Sequence, residues 1–289
     1  MMDSEGGNVM TASFPMTDQL SESGVRFWLK NTDLRLHVVQ SISSTNTVLR
    51  QMAEEGEEEG SVLLANSQTA GRGRMDRRFY SPPGTGLYLS LLLRPRMPAA
   101  DAVRITACAA VAAAEAIEET FGIRTAIKWV NDILIDGKKV CGILTEGSVD
   151  PRTGLLRYAI VGIGINITPP RGGFPPELSA IAGAVCEQDE PGLRCRLAAL
   201  LLDRLTERCK RLPETDCYET YGRRSCIPGR EILILSPGTE PVPAAALDIL
   251  PDFSLLVRLQ DGTEKTLNTG EVSIRTAGNI SEPVITDTP

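Results

Sequence analysis

A loop rich in arginine and glycine, residues 68–82 (QTAGRGRMDRRFYSP), carries the residue types best suited to chemistry in this sequence. Its glycines reach backbone angles closed to other residues and let the chain approach a ligand closely. Backbone N–H groups and guanidinium groups together bind carboxylates and phosphates. The glycines are Gly71 and Gly73, and the arginines are Arg72, Arg74, Arg77 and Arg78. The loop therefore predicts an anion site, with a solvated surface loop as the alternative interpretation.

Two further segments place polar residues or glycines inside apolar runs. The first is KWVND, residues 128–132, which is followed by Lys138, Lys139 and Gly142. A charge in a half-buried strand needs a partner, so these lysines indicate a site. The second is GIGIN, residues 162–166, whose glycines indicate close backbone approach to a ligand or to another part of the chain. Two prolines follow it instead of a helix, which argues against a dinucleotide fingerprint.

Composition and charge restrict the class of protein. The chain has 289 residues, 42% of them apolar, enough for one large domain and a small one. A net charge of -7 argues against a protein that wraps nucleic acid, whereas a basic loop in an acidic chain suits a small anionic ligand. The sequence lacks an apolar run of eighteen residues and a signal peptide at its start. We therefore expect a soluble cytoplasmic protein that does not bind membranes.

Histidine and cysteine usage excludes several kinds of site. The only histidine, His37, lies in the alternating run LRLHVVQ, which is typical of a strand. Seven scattered cysteines without a CxxC pair support neither a disulfide framework nor a zinc site, and most should be small buried hydrophobes. We expect no metal ligands, and chemistry that depends on placed charges rather than on an imidazole base.

Apolar periodicity divides the chain into a large and a small unit. We predict a tail at 1–24, a short helix at 25–30, strands at 35–40, 61–66 and 87–93, and helices after Asn46, at 103–121 and at 193–212. The hydroxyl groups of residues 43–45 are natural N-caps for the first of the later helices, and capping is the alternative to a binding role. Segments 124–147 and 155–167 read as a hairpin, with its turn at Asp136-Gly137, and a buried strand. Short apolar runs after Pro228 predict a small all-β module.

Five motifs together resemble the biotin protein ligases. In order, they are STN at 44–46, QTAGRGR, FYSPPGTGLYLSLLLRP, KWVNDILIDGKKVCGILTE and VGIGINI. The resemblance spans about residues 35–275 and includes GREILIL…TGEVSIR, which is similar to the SH3-like module of that family. It implies an α+β fold, with a mixed sheet and packed helices as in class II aminoacyl-tRNA synthetases, and a small C-terminal SH3-like β-barrel. The implied division is 1–34 tail and helix, 35–227 catalytic domain, 228–276 SH3-like domain and 277–289 tail.

The resemblance also implies a reaction with two half-steps. Biotin and MgATP form biotinyl-5′-AMP and pyrophosphate, and a lysine of a biotin carboxyl carrier domain of acetyl-CoA carboxylase or a related carboxylase then attacks the mixed anhydride. The carboxylate nucleophile is already ionised, which agrees with a chain that offers a single histidine. Joining two anions requires cations and fixed dipoles, as the arginine loop and the lysines would supply.

Site residues are implied by position in the matching motifs. Biotin is assigned to Ser44, Thr45, Asn46, Gln68, Arg72, Gly73, Arg74 and Lys139. ATP and the adenylate are assigned to Lys128, Asn131, Gly142 and Asn166. Among these, Lys128, Arg74 and Lys139 are the expected catalytic residues.

Three departures from the family pattern are visible. Val130 replaces the usual proline of KWPND, Asp76 replaces a glycine in the arginine loop, and Phe79 replaces a tryptophan. The added carboxylate at Asp76 would weaken the anion site or change the dynamics of the loop.

Further expectations concern partners and rival functions. About 34 residues precede the first core strand, too few for the DNA-binding domain of some relatives, so we expect a monofunctional ligase without DNA binding. Exposed sheet edges make a homodimer reasonable. The alternatives are a lipoate or octanoate ligase and a non-enzymatic protein that binds biotin.

Overall fold

The larger sheet of the computed structural model carries most of the predicted motifs. The structure describes residues 20–75, 77–188, 190–210, 212, 217–236 and 238–268, and the backbone of 273–276. The strands are β1 (Arg35–Val39), β2 (Ser61–Ala65), β3 (Gly86–Leu93), β4 (Ala126–Lys128), β5 (Asp132–Ile135), β6 (Lys138–Val149) and β7 (Leu156–Asn166). Their order is β1-β2-β3-β7-β6-β5-β4, with β1 and β2 parallel and the other neighbours antiparallel. The predicted mixed sheet is confirmed, as is the tight turn at Asp136-Gly137, where both residues have positive φ.

Helices cover both faces of this sheet. They are α1 (Glu22–Trp28), α2 (Thr45–Glu54), α3 (Val103–Phe121), α4 (Pro176–Ser179), α5 (Leu193–Cys209) and α6 (Tyr218–Arg224). Side chains alternate across a strand, so on β3 Leu91 packs with the core that contains α3 and α5, and Leu92 packs with α2. The predicted packed helices are therefore confirmed, and α2 lies on the face opposite to the long helices.

A second sheet follows residue 228. Its strands are β8 (Glu231–Leu235), β9 (Val242–Ile249), β10 (Leu255–Leu259), β11 (Glu264–Leu267) and β12 (Ser273–Thr276), in the antiparallel order β11-β10-β9-β8-β12. The predicted all-β module is confirmed in this form. The apolar runs did not indicate β11, because only Leu267 of its four residues is buried.

Capping residues fix the ends of the helices, in agreement with the prediction for α3 and at a different residue for α1. The predicted α3 is confirmed over its full length and ends at Gly122, which has φ +67°. Helix α1 begins before the predicted Val25, because Ser21 accepts a hydrogen bond from the Gly24 N–H at 3.1 Å.

Some predictions at the ends of the chain change or lie outside the described residues. Leu20 is buried, so the predicted tail does not extend to residue 24. Residues 1–19 and 277–289, assigned to tails, lie outside the described residues. In the described part of the chain, none of the helices has both the length and the apolar character needed to span a membrane.

Gly162 tests the packing of α2 on the sheet. A Cβ atom at this position would collide with the Asn46 carboxamide. We expect Gly162→Ala to lower the free energy of unfolding by about 1–3 kcal/mol, as overpacking does. Gly222→Ala is the matched control, because open space surrounds that position in α6, and it should raise stability by about 0.5–1 kcal/mol. Urea denaturation measures both, and equal effects of the two substitutions would contradict this packing.

Candidate functional site

The arginine loop is folded as a short hairpin beside the start of α2. The Gly73 N–H donates to the Arg77 carbonyl at 2.7 Å, and the Phe79 N–H donates to the Gly71 carbonyl at 3.0 Å. A Cβ atom on Gly71 would lie 2.7 Å from Ser81 Oγ, so this position requires glycine. The described part of the loop therefore has a defined conformation. Asp76, noted above as a departure, lies outside the described residues.

A cleft of about 300 Å³ separates this loop from α2. It is lined by Ser43, Ser44, Thr47, Ala70, Gly71, Arg72, Arg77 and Arg78. Ser44 occupies the N-cap position of α2, yet its side chain makes no capping hydrogen bond, so capping does not explain this hydroxyl. Three guanidinium groups and a helix N-terminus give the cleft the chemistry of an anion site.

Polar side chains beneath the cleft form a hydrogen-bond network. The Thr45 N–H and hydroxyl donate to Gln68 Oε1 at 2.8 and 3.1 Å. Gln68 Nε2 donates to Ser81 Oγ at 2.9 Å, which fixes the orientation of the amide. Ser90 Oγ lies 2.8 Å from Thr45 Oγ1 and 2.6 Å from Asn46 Oδ1. The network ties the start of α2 to β3 and to the arginine loop.

The sequence reasoning missed two members of this network, Ser81 and Ser90. Ser90 is fully buried in the otherwise apolar run GLYLSLLL. A hydroxyl buried among leucines needs a polar partner, and that requirement was the signal that could have identified it.

Glu146 on β6 joins the two walls of the cleft and was also missed. Asn46 Nδ2 donates to Glu146 Oε2 at 3.0 Å, and the Arg72 guanidinium lies 3.0 Å from Glu146 Oε1. Asn46 therefore connects α2 to the same carboxylate that holds the arginine loop. A single acidic residue at the end of the apolar run GILTEG was the available signal.

The KWVND segment forms a second cationic group. Lys128 ends β4 and faces Asp132 across the β4–β5 pair. The Asp132 carboxylate forms an ion pair with Lys139 Nζ at 2.6 Å. Burial lowers the pKa of Lys128 and nearby Lys139 lowers it further, whereas Asp132 raises it. Trp129 and Val130 are buried, and the peptide bond between them is cis.

Arg74 connects the arginine loop to this second group. Its guanidinium donates to Asn131 Oδ1 at 3.2 Å, and Asn131 Nδ2 donates to the Ile143 carbonyl at 2.9 Å. Burial lowers the pKa of Arg74, and the Asp132 carboxylate opposes that shift. The two cationic groups therefore belong to one site.

The Phe79 ring covers a pair of glycines on the sheet. Gly142 and Gly164 are neighbours across β6 and β7. A Cβ atom would lie 2.6 Å from the Phe79 ring at Gly164 and 3.1 Å from it at Gly142. Lys139 Nζ lies 5.9 Å from the centre of the same ring. The close approach is thus made by Phe79 at Gly164, and by Lys139 together with Phe79 at Gly142.

Asn166 has a role in the fold at the end of β7. Its Nδ2 donates to the Gly183 carbonyl at 3.1 Å, and its own carbonyl accepts from the Val185 N–H at 3.0 Å. The amide holds segment 183–185 against the sheet. Of the predicted residues, Ser44 and Arg72 line the cleft, Thr45, Asn46 and Gln68 lie beneath it, and Gly73 is in the arginine loop, while Arg74, Lys128, Asn131, Lys139 and Gly142 form the second group. Among the described residues, no cluster of three or more His, Cys, Asp or Glu side chains could hold a metal ion.

Comparison with known proteins identifies related chains. Residues 38–166 match the model of the biotin/lipoate A/B protein ligase family. The bifunctional ligase/repressor BirA of Bacillus subtilis is 43% identical over 171 residues, which are 58% of this chain and 52% of that protein. A biotin–[acetyl-CoA-carboxylase] ligase of Mycobacterium tuberculosis is 28% identical over 221 residues, 74% of this chain and 80% of the relative. The chain thus spans about half the length of the first of these relatives.

A solved structure shares the fold. The biotin protein ligase from Aquifex aeolicus in complex with biotin and ATP superposes with a TM-score of 0.68 at 26% sequence identity. The match covers 84% of this chain and 99% of that structure.

Glu146→Gln tests whether the carboxylate anchors the arginine loop. The amide would lose the charge that pairs with Arg72, an interaction worth up to about 1 kcal/mol for a partly exposed ion pair. We expect trypsin to cleave the ligand-free variant between residues 72 and 78 about twofold to fivefold faster than the wild type. Glu57→Gln, which removes one of the two carboxylates paired with Arg35 on a distant part of the surface, is the control. Cleavage at an unchanged rate in Glu146→Gln would exclude the anchor.

Proposed function

We propose, from the match of residues 38–166 to the model of the biotin/lipoate A/B protein ligase family, that this chain is an ATP-dependent biotin protein ligase. It forms biotinyl-5′-AMP from biotin and ATP and transfers the biotinyl group to a lysine. The observation that carries this proposal is the pair of cationic groups, the arginine cleft and the Lys128 group, which the hydrogen bond from Arg74 to Asn131 links. Two anions that must react with each other fit such a site.

The first half-step requires charge placement and no base. The biotin carboxylate attacks the α-phosphorus of ATP, and pyrophosphate leaves. Lys128, Lys139 and Arg74 offset the negative charge that accumulates at the reacting atoms. His37, exposed on β1, takes no part. ATP would be bound as MgATP, whose metal ion would neutralise charge on the phosphates.

The cleft and the polar network beneath it support the assignment of the biotin ring to this region. Ser44 offers a hydroxyl that does not cap α2, and Thr45 and Gln68 hold each other in fixed orientations. Fixed polar groups can form hydrogen bonds with the ureido group of biotin. Burying that group without partners would cost about 2–7 kcal/mol, the range for an unpaired amide. Asn46 acts by positioning, because its amide contacts Ser90, Glu146 and the backbone.

Nucleotide binding would displace the Phe79 ring. Gly142 and Gly164 would form an open groove on the surface of the sheet once this ring, and the Lys139 side chain beside it, move away. The adenylate would then lie close to Asn131 and Lys139, and Arg74 would retain it until transfer. Asn166 would contribute by holding segment 183–185 in place.

The second half-step defines the partner. We propose that the acceptor is a biotin carboxyl carrier domain of a carboxylase, as the name of the Mycobacterium tuberculosis relative suggests. The amine of its lysine attacks the carbonyl of the mixed anhydride, and AMP leaves. ATP and such a domain as substrates place the reaction in the cytoplasm. The proposal includes neither DNA nor membrane binding, and the edge strand β1 leaves room for a homodimer.

The second sheet supports the proposal of an SH3-like C-terminal domain. Its first strand β8 lies between β9 and the last strand β12, as expected for a five-stranded sheet that curls toward a barrel. We propose the boundary with the catalytic domain at residues 227–228.

Transfer of labelled biotin to a purified carrier domain with MgATP tests the function. Lys128→Ala should lower the rate of adenylate formation about 10²–10³-fold, the loss typical of an electrostatic stabiliser. Arg74→Gly should release adenylate into solution before transfer. His37→Ala is the control and should retain wild-type labelling.

Lipoate, tested in the same assay, distinguishes the closest alternative in the family. Faster adenylation of lipoate than of biotin would make the chain a lipoate ligase. Biotin binding without any adenylate would make it a non-enzymatic binding protein and would refute the proposal.

The lowered pKa of Lys128 predicts the alkaline limit of activity. Since the folded-state pKa lies below the ordinary value of 10.5, the lysine loses its charge as pH rises through a range below that value. Adenylate formation should fall with an apparent pKa below 10.5 on the alkaline side. Lys128→Arg, which retains its charge, should shift this fall to higher pH. A pH–rate profile unchanged by the substitution would contradict this role of Lys128.

A further inference from the structure

The turn between β9 and β10, residues 250–254, enters the larger unit directly behind the KWVND segment. From its contacts we infer that Phe253 is a positioning residue for Lys128, acting through Trp129. This inference rests on the proposed function, because it assigns Lys128 to adenylate formation. It adds a residue of the second sheet to the machinery of the site.

The first contact is made by the Phe253 backbone. The Trp129 indole Nε1–H donates to the Phe253 carbonyl at 2.8 Å. Both residues are almost completely buried, with 3% of Trp129 and 1% of Phe253 exposed. A buried indole N–H requires a hydrogen-bond acceptor, which the Phe253 carbonyl provides. Trp129 directly follows Lys128 in the chain. The carbonyl therefore fixes the residue that follows Lys128.

The Phe253 ring is held from three directions. It meets the rings of Tyr218 and Tyr221 edge to face, at centroid distances of 6.1 and 5.5 Å. The Arg104 guanidinium lies 5.8 Å from the ring centre. Tyr218 also donates its hydroxyl to the Ile249 carbonyl at 2.8 Å. The turn is thus held by a cation–π contact from the start of α3 and by aromatic contacts from helix α6.

The turn adopts an unusual backbone conformation to present this ring. Phe253 has φ +64°, a left-handed conformation that bulky residues rarely adopt. Its N–H donates to the Leu250 carbonyl at 2.7 Å, and the Leu250 N–H donates to the Ser254 carbonyl at 2.9 Å. The Asp252 carboxylate accepts from the Ser254 N–H at 3.0 Å. Such a conformation persists where its surroundings fix it, as these contacts do.

The position of Trp129 matters for both ends of the KWVND segment. Lys128 precedes it, and Asn131, two residues later, holds Arg74. A shift of the indole would move the Lys128 ammonium and the Arg74 guanidinium away from the reacting atoms. Misplacement by about 1 Å costs up to about a hundredfold in rate.

Tryptophan emission reports the position of Trp129 without any substrate. The chain has two tryptophans, Trp28 and Trp129, so Trp28→Phe leaves one. In this background we expect Phe253→Leu to shift the emission of Trp129 to longer wavelength, because the turn loses the ring contacts that hold its carbonyl against the indole N–H, and water can then reach that group. Val257→Ala, another buried residue of the second sheet, is the matched control and should leave the emission unchanged. Thermal unfolding curves ensure that every variant is folded at the assay temperature.

Adenylate formation provides the second measurement. Phe253→Leu and Trp129→Phe should lower kcat roughly tenfold to a hundredfold, with a smaller change in KM for biotin. Val257→Ala should retain kcat even where it lowers the melting temperature equally. Unshifted emission in Phe253→Leu, or a shift without loss of kcat, would overturn the inference. If the wild type forms no adenylate but Phe253→Leu still shifts the emission of Trp129, the proposed function is refuted and the contact of Phe253 with Trp129 is confirmed.

Discussion

Repulsion among closely spaced cations is the constraint on which this site depends. Guanidinium and ammonium groups from the arginine loop and the KWVND segment approach one another in partly buried positions, where charge is poorly screened. Two carboxylates make this arrangement stable. Glu146 compensates Arg72, and Asp132 compensates Lys139 and acts on Lys128 and Arg74. Because both carboxylates lie on the sheet, the sheet fixes where the cations can be.

The site also requires that side chains of α2 and the arginine loop approach the backbone of the sheet closely. Glycines on β6 and β7 allow this approach. Gly162 admits Asn46, and Gly142 with Gly164 admits Phe79. The neighbouring strands supply the core that holds these positions rigid. Helix α2 and the arginine loop can therefore pack on the face opposite to α3 and α5 without losing contact with the sheet.

Much of this organisation could be predicted from the sequence because it follows local patterns. The alanine-rich helix α3 ended where Gly122 indicated, and the hairpin turned at Asp136-Gly137. Partners distant in sequence could not be predicted. Glu146 contacts Arg72 and Asn46, which precede it by 74 and 100 positions in the chain. Ser90 contacts Asn46 and Thr45, which precede it by 44 and 45 positions, so only the folded sheet brings these groups together. The glycines of β7 were recognised as points of close approach, but nothing local to them identifies Asn46 and Phe79 as the groups that approach.

Because the Phe79 ring covers Gly142 and Gly164, any ligand of this groove must displace the ring, and this displacement lowers the ligand's net affinity. A ligand gains the contacts of the strand surface and loses those that the ring made with Gly142, Gly164 and the Lys139 ammonium. A fragment no larger than the ring replaces one set of contacts with a similar one, and its net gain is small. A molecule that also reaches the arginine cleft adds interactions that the ring never made. The groove therefore favours long, doubly anchored ligands over compact ones, through exchange with a side chain of the protein itself.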